Sequence, residues 1–166
     1  MATNYERAFE ARPDVYAAWG GLLGAIKANM DLRRYELATF AAAQRLRSSY
    51  CSLAHGKVLV EQFGEPVLRI ATDRSTAGLD EVDLAVMEFA EQVADDATAI
   101  DDADRQKLRD LGLSDEEIMD VILTAALRSF WTKTLDALGV QPDASYGELE
   151  PELREVLVVG RPIAET

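Results

Sequence analysis

Apolar residues recur at intervals of three and four positions through most of this chain, which is the spacing of one buried face of an α-helix. The pattern begins at Pro13, a residue type that the first turn of a helix tolerates. No segment alternates apolar and polar residues as a half-buried strand does, and hairpin signals such as Asn-Gly are missing. The helices that the pattern predicts cover residues 13–30, 32–47, 50–63, 81–94, 101–110 and 114–138.

Residues with strong capping preferences stand at the ends of these predicted helices. Asp31, Asp80 and Ser114 precede apolar runs, where a side-chain oxygen can accept from an otherwise unpaired amide of the first turn. Gly64 and Gly139 follow apolar runs, where glycine readily adopts the left-handed conformation that ends a helix. Pattern and caps therefore agree on where the helices begin and end.

The domain organisation follows from these elements. Residues 64–79 contain turn-forming glycine and proline and are predicted as a connection, with room for a short helix over 67–71. We predict an all-α fold in a single domain over residues 1–166, with its core at about 13–140. Residues 141–166 form a C-terminal arm.

The C-terminal arm differs in composition from the rest of the chain. It holds three prolines and one short amphipathic stretch, residues 151–158. An apolar patch in a terminal arm indicates a partner surface, so we expect the arm to pack on a neighbouring subunit. The patch consists of Leu153, Val156, Leu157, Val158 and Val159.

Composition and charge narrow the function. The chain has 166 residues, and 17 Lys and Arg against 30 Asp and Glu leave a net charge of −13. This acidity disfavours nucleic acids and anionic membrane surfaces as partners, because both attract basic patches. The polar N-terminus leads into no apolar segment, and no apolar run is long enough to span a membrane. We therefore expect a cytoplasmic protein.

The single cysteine and the single histidine, Cys51 and His55, are four residues apart and would share one face of a helix. Ser48 or Ser49 is the candidate N-cap of that helix, and Ser48 lies on the same face three residues before Cys51. Cys51 would then lie in the first helical turn, where the helix dipole favours a thiolate and an imidazole can accept the proton. This pattern is typical of a reactive cysteine, although cysteines are also common as small buried hydrophobic residues.

An imidazole that transfers protons needs a partner that orients it, and Glu36 is the candidate. If residues 32–47 and 50–63 form an antiparallel pair, the Glu36 carboxylate can reach His55 directly or through one water molecule. A metal site built from Glu36, Cys51 and His55 is a weaker alternative, because structural zinc sites usually have four ligands. We expect no bound metal and no cofactor.

The motif residues carry a resemblance to a known family. Glu36 is followed after eleven residues by Ser48-x-x-Cys51-x-x-x-His55, and residues 113–118 and 136–140 add further similarity. This pattern resembles the carboxymuconolactone decarboxylase / AhpD-like alkylhydroperoxidase family, in particular its peroxidase-related branch. The resemblance covers about residues 13–143.

The resemblance implies an AhpD-like helical domain in a homo-oligomer, commonly a trimer or hexamer. It implies a thiol-dependent peroxidase of peroxiredoxin type, an antioxidant activity, with Cys51 oxidised to sulfenic acid and with Glu36 and His55 as proton relay. Ser48 replaces the first cysteine of the family motif; its hydroxyl can still form a hydrogen bond, but it cannot form a disulfide. Turnover would need an external thiol reductant or a Cys51–Cys51 bridge between subunits.

Two other classes of function remain open from the sequence. In a carboxymuconolactone decarboxylase-like lyase, His55 and Glu36 would transfer protons and the thiol would be incidental. In a redox-sensing or structural oligomer, the chain would have lost turnover.

Several residues outside the motif are candidates for secondary roles. Arg33, Arg34 and Arg128 could attract an anionic substrate, although arginines on helix surfaces are more often solvated. Tyr50 is a candidate for the mouth of the pocket. Large aromatic residues are expected in the core or at subunit contacts: Trp19, Phe40, Phe130 and Trp131.

Overall fold

The computed structural model describes residues 2–165, within which nine α-helices and three short 3₁₀ helices form and no β-strand occurs. Met1 and Thr166, the ends of the predicted domain, lie outside the described residues. Within residues 2–165, no helix combines the length and the apolar character required to cross a membrane. The helices are α1 (Asn4–Ala8), α2 (Pro13–Lys27), α3 (Leu32–Arg45), α4 (Ser49–Phe63), α5 (Val67–Asp73), α6 (Glu81–Asp96), α7 (Asp102–Asp110), α8 (Asp115–Ala137) and α9 (Pro151–Leu157).

All six helices predicted from periodicity are present, so the all-α fold class is confirmed. The caps lie where the sequence predicts them. Asp31 accepts from the Arg34 amide at 2.9 Å, and Ser114 forms a capping box with Glu117. Gly64 and Gly139 have φ angles of 68° and 75°, in the left-handed region that glycine adopts without strain.

Helix α1 was not predicted, because its sequence is polar and has no buried residue. It begins at a capping box between Thr3 and Glu6, and the Asn4 amide donates to Asp143 at 2.8 Å. Helix α5 extends to Asp73, beyond the predicted residue 71. Val67 and Ile70, one turn apart, are buried and hold α5 against the core.

Helix α3 forms the centre of the molecule, packed against α4, α6 and α8. Every residue from Tyr35 to Ala43 is buried. Four of these are alanines, whose small side chains let neighbouring helices approach closely: Ala38, Ala41, Ala42 and Ala43. Because α3 is enclosed on all sides, a polar residue within it must find a partner inside the protein. Glu36 is such a residue.

The C-terminal arm packs against its own chain, so the expected requirement for a neighbouring subunit is wrong. Helix α9 lies on α4 and α5, and Leu157 is fully buried beside Phe40 and Gly56. A Cβ atom at Gly56 would be 3.0 Å from a methyl group of Leu157, which shows how closely the two helices approach. The amphipathic pattern of the arm was read correctly, but its apolar side faces this chain's core.

The end of the arm lies against the turn between α3 and α4. The Gly160 amide donates to Ser49 Oγ at 2.8 Å, and Arg47 Nε donates to the Val159 carbonyl at 3.2 Å. A Cβ atom at Gly160 would be 2.1 Å from the Arg47 carbonyl oxygen, so only glycine fits at this position. The arm therefore covers the start of α4, the helix that carries Cys51.

Shortening the side chain at Leu157 tests how much this packing contributes to stability. Leu157→Ala removes a fully buried side chain, and we expect the free energy of unfolding to fall by about 2–5 kcal/mol. Leu138→Ala is the matched control, because Leu138 is 60% exposed and its truncation leaves no cavity. Urea unfolding of both variants checks the prediction, and equal losses in the two would contradict it.

Candidate active site

Glu36 and His55 form a direct pair between α3 and α4. Glu36 Oε2 lies 2.5 Å from His55 Nδ1, so no bridging water is needed. The second carboxylate oxygen of Glu36 lies 3.6 Å from Lys27 Nζ on α2. The carboxylate is almost fully buried, whereas the His55 side chain remains 16% exposed. A buried carboxylate therefore fixes the orientation of a partly accessible imidazole.

The surroundings shift both ionisations of this pair. Burial alone would raise the pKa of Glu36, but the contacts with His55 and Lys27 lower it overall. Burial lowers the pKa of His55, and the positive charge of Arg128 lowers it further against the opposing effect of Glu36. An ionised carboxylate beside a neutral imidazole is an arrangement suited to accepting and returning a proton at neutral pH.

Ser48, not Ser49, is the N-cap of α4. Its hydroxyl oxygen accepts from the Cys51 amide at 3.4 Å, while Ser49 Oγ accepts from the Gly160 amide of the arm. Cys51 therefore lies in the first turn of α4, as the sequence predicts, with the positive end of the helix dipole nearby.

The sulfur of Cys51 has a different partner from the one that the sequence predicts. Arg128 Nη1 and Thr132 Oγ1, both on α8, each lie 3.5 Å from Cys51 Sγ. Among residues 2–165, His55 forms no hydrogen bond with the sulfur and is held by Glu36 instead. The cysteine is 2% exposed, and the aromatic ring of Trp131 belongs to the same buried cluster.

Arg128 corrects the expectation of a solvated surface charge. It is 3% exposed, and its guanidinium donates to Cys51 Sγ and, at 3.3 Å, to Tyr35 Oη. The missed signal was the four-residue spacing of Thr124, Arg128 and Thr132, which places three polar side chains along the buried face of α8.

The other secondary candidates lie away from the sulfur or deeper than expected. Arg33 and Arg34 on α3 both pair with the buried carboxylate of Asp83 rather than facing a ligand. Tyr50 is 5% exposed and donates to Asp143, so it does not line the mouth of a pocket. Of the aromatic residues expected inside, Phe40 and Trp131 are buried and Trp19 is partly buried, whereas Phe130 is 45% exposed.

The burial of Cys51 also restricts the ways in which it can be reduced. A disulfide requires two Cα atoms within about 7 Å of each other. A Cys51–Cys51 bridge between subunits, one of the two expected routes to turnover, therefore cannot form with the sulfur in this enclosed position. Within the described part of the chain, no group of three or more metal-ligating side chains is arranged around an ion, which argues against the Glu36–Cys51–His55 metal site.

Comparison with solved structures identifies the architecture. An uncharacterised peroxidase-related protein from Ralstonia eutropha JMP134, with an alkylhydroperoxidase AhpD core, superposes with a TM-score of 0.79 at 21% identity, covering 88% of this chain and 80% of that chain. A peroxidase-related protein from Silicibacter sp. TM1040 gives 0.80 at 20% identity, covering 89% and 80%. The debrominase Bmp8, bound to 2,3,4-tribromopyrrole, gives 0.71 at 17% identity, covering 89% and 76%.

No protein-family model matches the sequence, and no curated protein matches it significantly. The structural similarity nevertheless spans most of this chain and most of each neighbour. The fold implied by the spacing of Glu36, Ser48, Cys51 and His55 is thus the fold observed. The chain has the helical fold of the alkylhydroperoxidase AhpD core.

Proposed function

We propose that this protein is a thiol-dependent peroxidase of the carboxymuconolactone decarboxylase / AhpD-like family, in which Cys51 reduces a peroxide and an external thiol restores it. The observation that carries the proposal is the Glu36–His55 pair at 2.5 Å, one helical turn from the chain's single cysteine. A buried acid that orients a neutral imidazole beside a thiol is the arrangement that nucleophilic cysteine chemistry requires.

The chemical step is a two-electron oxidation of sulfur. The Cys51 thiolate attacks one oxygen of a hydroperoxide, so that a sulfur–oxygen bond forms while the oxygen–oxygen bond breaks. His55 accepts the proton of the attacked oxygen and returns it to the departing oxygen, which leaves as alcohol or water. Thiolate and hydroperoxide thereby give sulfenate and alcohol, and Glu36 stabilises the imidazolium that forms during the transfer.

The return to thiol needs an external reductant, because Ser48 offers no second sulfur. Two molecules of a thiol convert the protonated sulfenate into thiol and water, and they leave as their own disulfide. Ser48 keeps only a structural role in this scheme, as the cap of α4.

A homo-oligomer belongs to the same proposal. Helices α2 and α8 leave an apolar groove on the surface, lined by residues that include Leu22, Leu123 and Phe130. Apolar surface of this kind is typical of contacts between subunits. A trimer or hexamer in the cytoplasm is the state that we propose.

Trapping of the oxidised sulfur tests the proposed function. We expect hydrogen peroxide or an alkyl hydroperoxide to make Cys51 reactive towards dimedone, and peroxide to be consumed continuously once a small thiol is supplied. Cys51→Ser should abolish both signals, because serine cannot form a sulfenic acid. Mass spectrometry of the dimedone adduct and a peroxide-consumption assay provide the measurements.

The same assay separates the competing functions. A lyase would retain its activity on a small carboxylated ring after Cys51→Ser, and a non-catalytic redox sensor would be labelled by dimedone once without turnover. Because a debrominase shares the fold, 2,3,4-tribromopyrrole serves as a comparison substrate. Consumption of that compound without consumption of peroxide would overturn the proposal.

A further inference from the structure

Arg128 is a buried positive charge without a carboxylate partner. Its guanidinium contacts Cys51 Sγ at 3.5 Å and Tyr35 Oη at 3.3 Å, and among residues 2–165 no carboxylate is in ion-pair contact with it. Its Nε atom is buried and has no hydrogen-bond partner in the described chain. The residue is 3% exposed, so bulk water does not compensate for these missing contacts.

An uncompensated charge in a protein interior is costly, and a buried arginine is therefore paired with an anion. Only two acidic groups contact this guanidinium: the thiol of Cys51 and the phenol of Tyr35. A thiol is a considerably stronger acid than a phenol. The anion that balances Arg128 most readily is consequently the thiolate of Cys51.

We propose that Arg128 is a catalytic residue that keeps Cys51 ionised, with Thr132 donating the second hydrogen bond to the sulfur and Tyr35 holding the guanidinium in place. This inference deepens the proposed peroxidase function and rests on it for its catalytic meaning. It assigns to a residue of α8, 77 positions away in sequence, the role that helical spacing suggested for His55. His55 is left as the relay for the proton of the peroxide.

The same guanidinium serves the product of the reaction. When the thiolate becomes a sulfenate, the negative charge moves onto an oxygen bound to the sulfur. The buried Nε–H group of Arg128, which has no partner in the resting protein, is a donor close to that oxygen. A donor already in place where charge develops stabilises the transition state without reorganisation.

The other groups around the sulfur fit this assignment. Helix α3 contributes Glu36 and Tyr35, helix α4 contributes His55, and Tyr146 of the arm belongs to the same buried cluster as Cys51. Of these groups only His55 can become cationic, and the carboxylate of Glu36 holds it. Arg128 is therefore the permanent positive charge in contact with the sulfur.

Alkylation of Cys51 by iodoacetamide measures the thiolate directly and needs no peroxide chemistry. The rate at neutral pH is divided by the plateau rate at high pH, where every thiol is ionised, so that differences in access to the buried sulfur cancel. We expect this ratio to fall by at least about tenfold in Arg128→Met, because a hydrogen bond to a charged group is lost. Arg128→Lys should lose less, since the positive charge remains.

The His55→Ala variant is the decisive comparison. We expect it to keep the alkylation ratio of the wild type while its reaction with peroxide slows, because His55 relays the peroxide's proton in our scheme. A ratio that falls in His55→Ala and is unchanged in Arg128→Met would overturn the inference. If the wild type consumes no peroxide, the proposed function fails, yet the alkylation ratios still decide the role of Arg128.

Two milder substitutions keep the inference testable if Arg128→Met does not fold. Thr132→Val removes one hydroxyl group beside the sulfur, and Tyr35→Phe removes the hydroxyl group that anchors the guanidinium. Each leaves the shape of the core almost unchanged, and each should lower the alkylation ratio. Wild-type ratios in both variants would contradict the inference, and circular dichroism confirms folding in every case.

Discussion

Replacing His55 with alanine should slow the formation of sulfenic acid at Cys51 by about 10²–10⁴-fold, the usual contribution of a positioned general acid–base group. Without the imidazole, the departing oxygen leaves without a proton, and the barrier rises. Glu36→Gln should cause a smaller loss, because an amide still contacts His55 but cannot stabilise the imidazolium. Stopped-flow oxidation followed by dimedone trapping gives both rates.

The matched control for the relay is Glu61→Gln, which makes the same chemical change at an exposed position on α4. We expect the oxidation rate of this variant to equal that of the wild type. If His55→Ala and Glu61→Gln behave alike, the pair at 2.5 Å is structural and the proposed relay is wrong.

The lowered pKa of His55 also fixes the direction of the pH dependence. The neutral imidazole persists as the pH falls below 6.5, the ordinary value, so the relay should stay competent in mildly acidic solution. The unfolded chain binds that proton first, and the free energy of unfolding should therefore decrease as the pH falls through 6.5. The pKa of Glu36 is also lowered, which adds a further loss of stability below about 4.5.

Removing the carboxylate of Asp83 should destabilise the protein by about 3–5 kcal/mol, the range found when one partner of a buried ion pair is deleted. Asp83 lies in the first turn of α6, is 1% exposed, and accepts from Arg33 and Arg34 of α3. Asp83→Ala leaves both arginines without this partner at the interface of the two helices. Because Glu36 follows directly on α3, we expect the relay to be disturbed as well.

Asp95→Ala provides the control for the buried pair. Asp95 pairs with Arg45 on the surface, where both side chains are more than half exposed, and such pairs contribute at most about 1 kcal/mol. Thermal and urea unfolding of the two variants measure the difference. A loss for Asp83→Ala no larger than for Asp95→Ala would show that solvent compensates the arginines.

The helices could be predicted from the sequence because their signals are local. The period of apolar residues placed α3 and α4 within a few positions, and the caps at Asp31 and Ser114 marked starts that the structure confirms. Helix α1 carried no apolar face and escaped notice. It is held by its capping box and by a contact with Asp143, which is remote in sequence.

The candidate site was predictable only as far as it is local or follows a known motif. Spacing placed Cys51 in the first turn of α4, and an antiparallel pair of helices brought Glu36 to His55. The contact between Arg128 and Cys51 joins two helices far apart in sequence, and no local pattern encodes it. The destination of the arm was missed for the same reason, because an amphipathic stretch does not specify which apolar surface covers it.

The enclosure of the Cys51 sulfur makes molecular size a variable in its chemistry. Any reagent must wait until the surrounding helices open, so oxidants and reductants of equal intrinsic reactivity should be ranked by their bulk. Compact peroxides and small thiols gain entry during brief openings that would exclude the surface of another protein. The packing of α3, α4 and α8 around one atom thus works as a sieve, and a series of graded alkylating agents would calibrate its mesh.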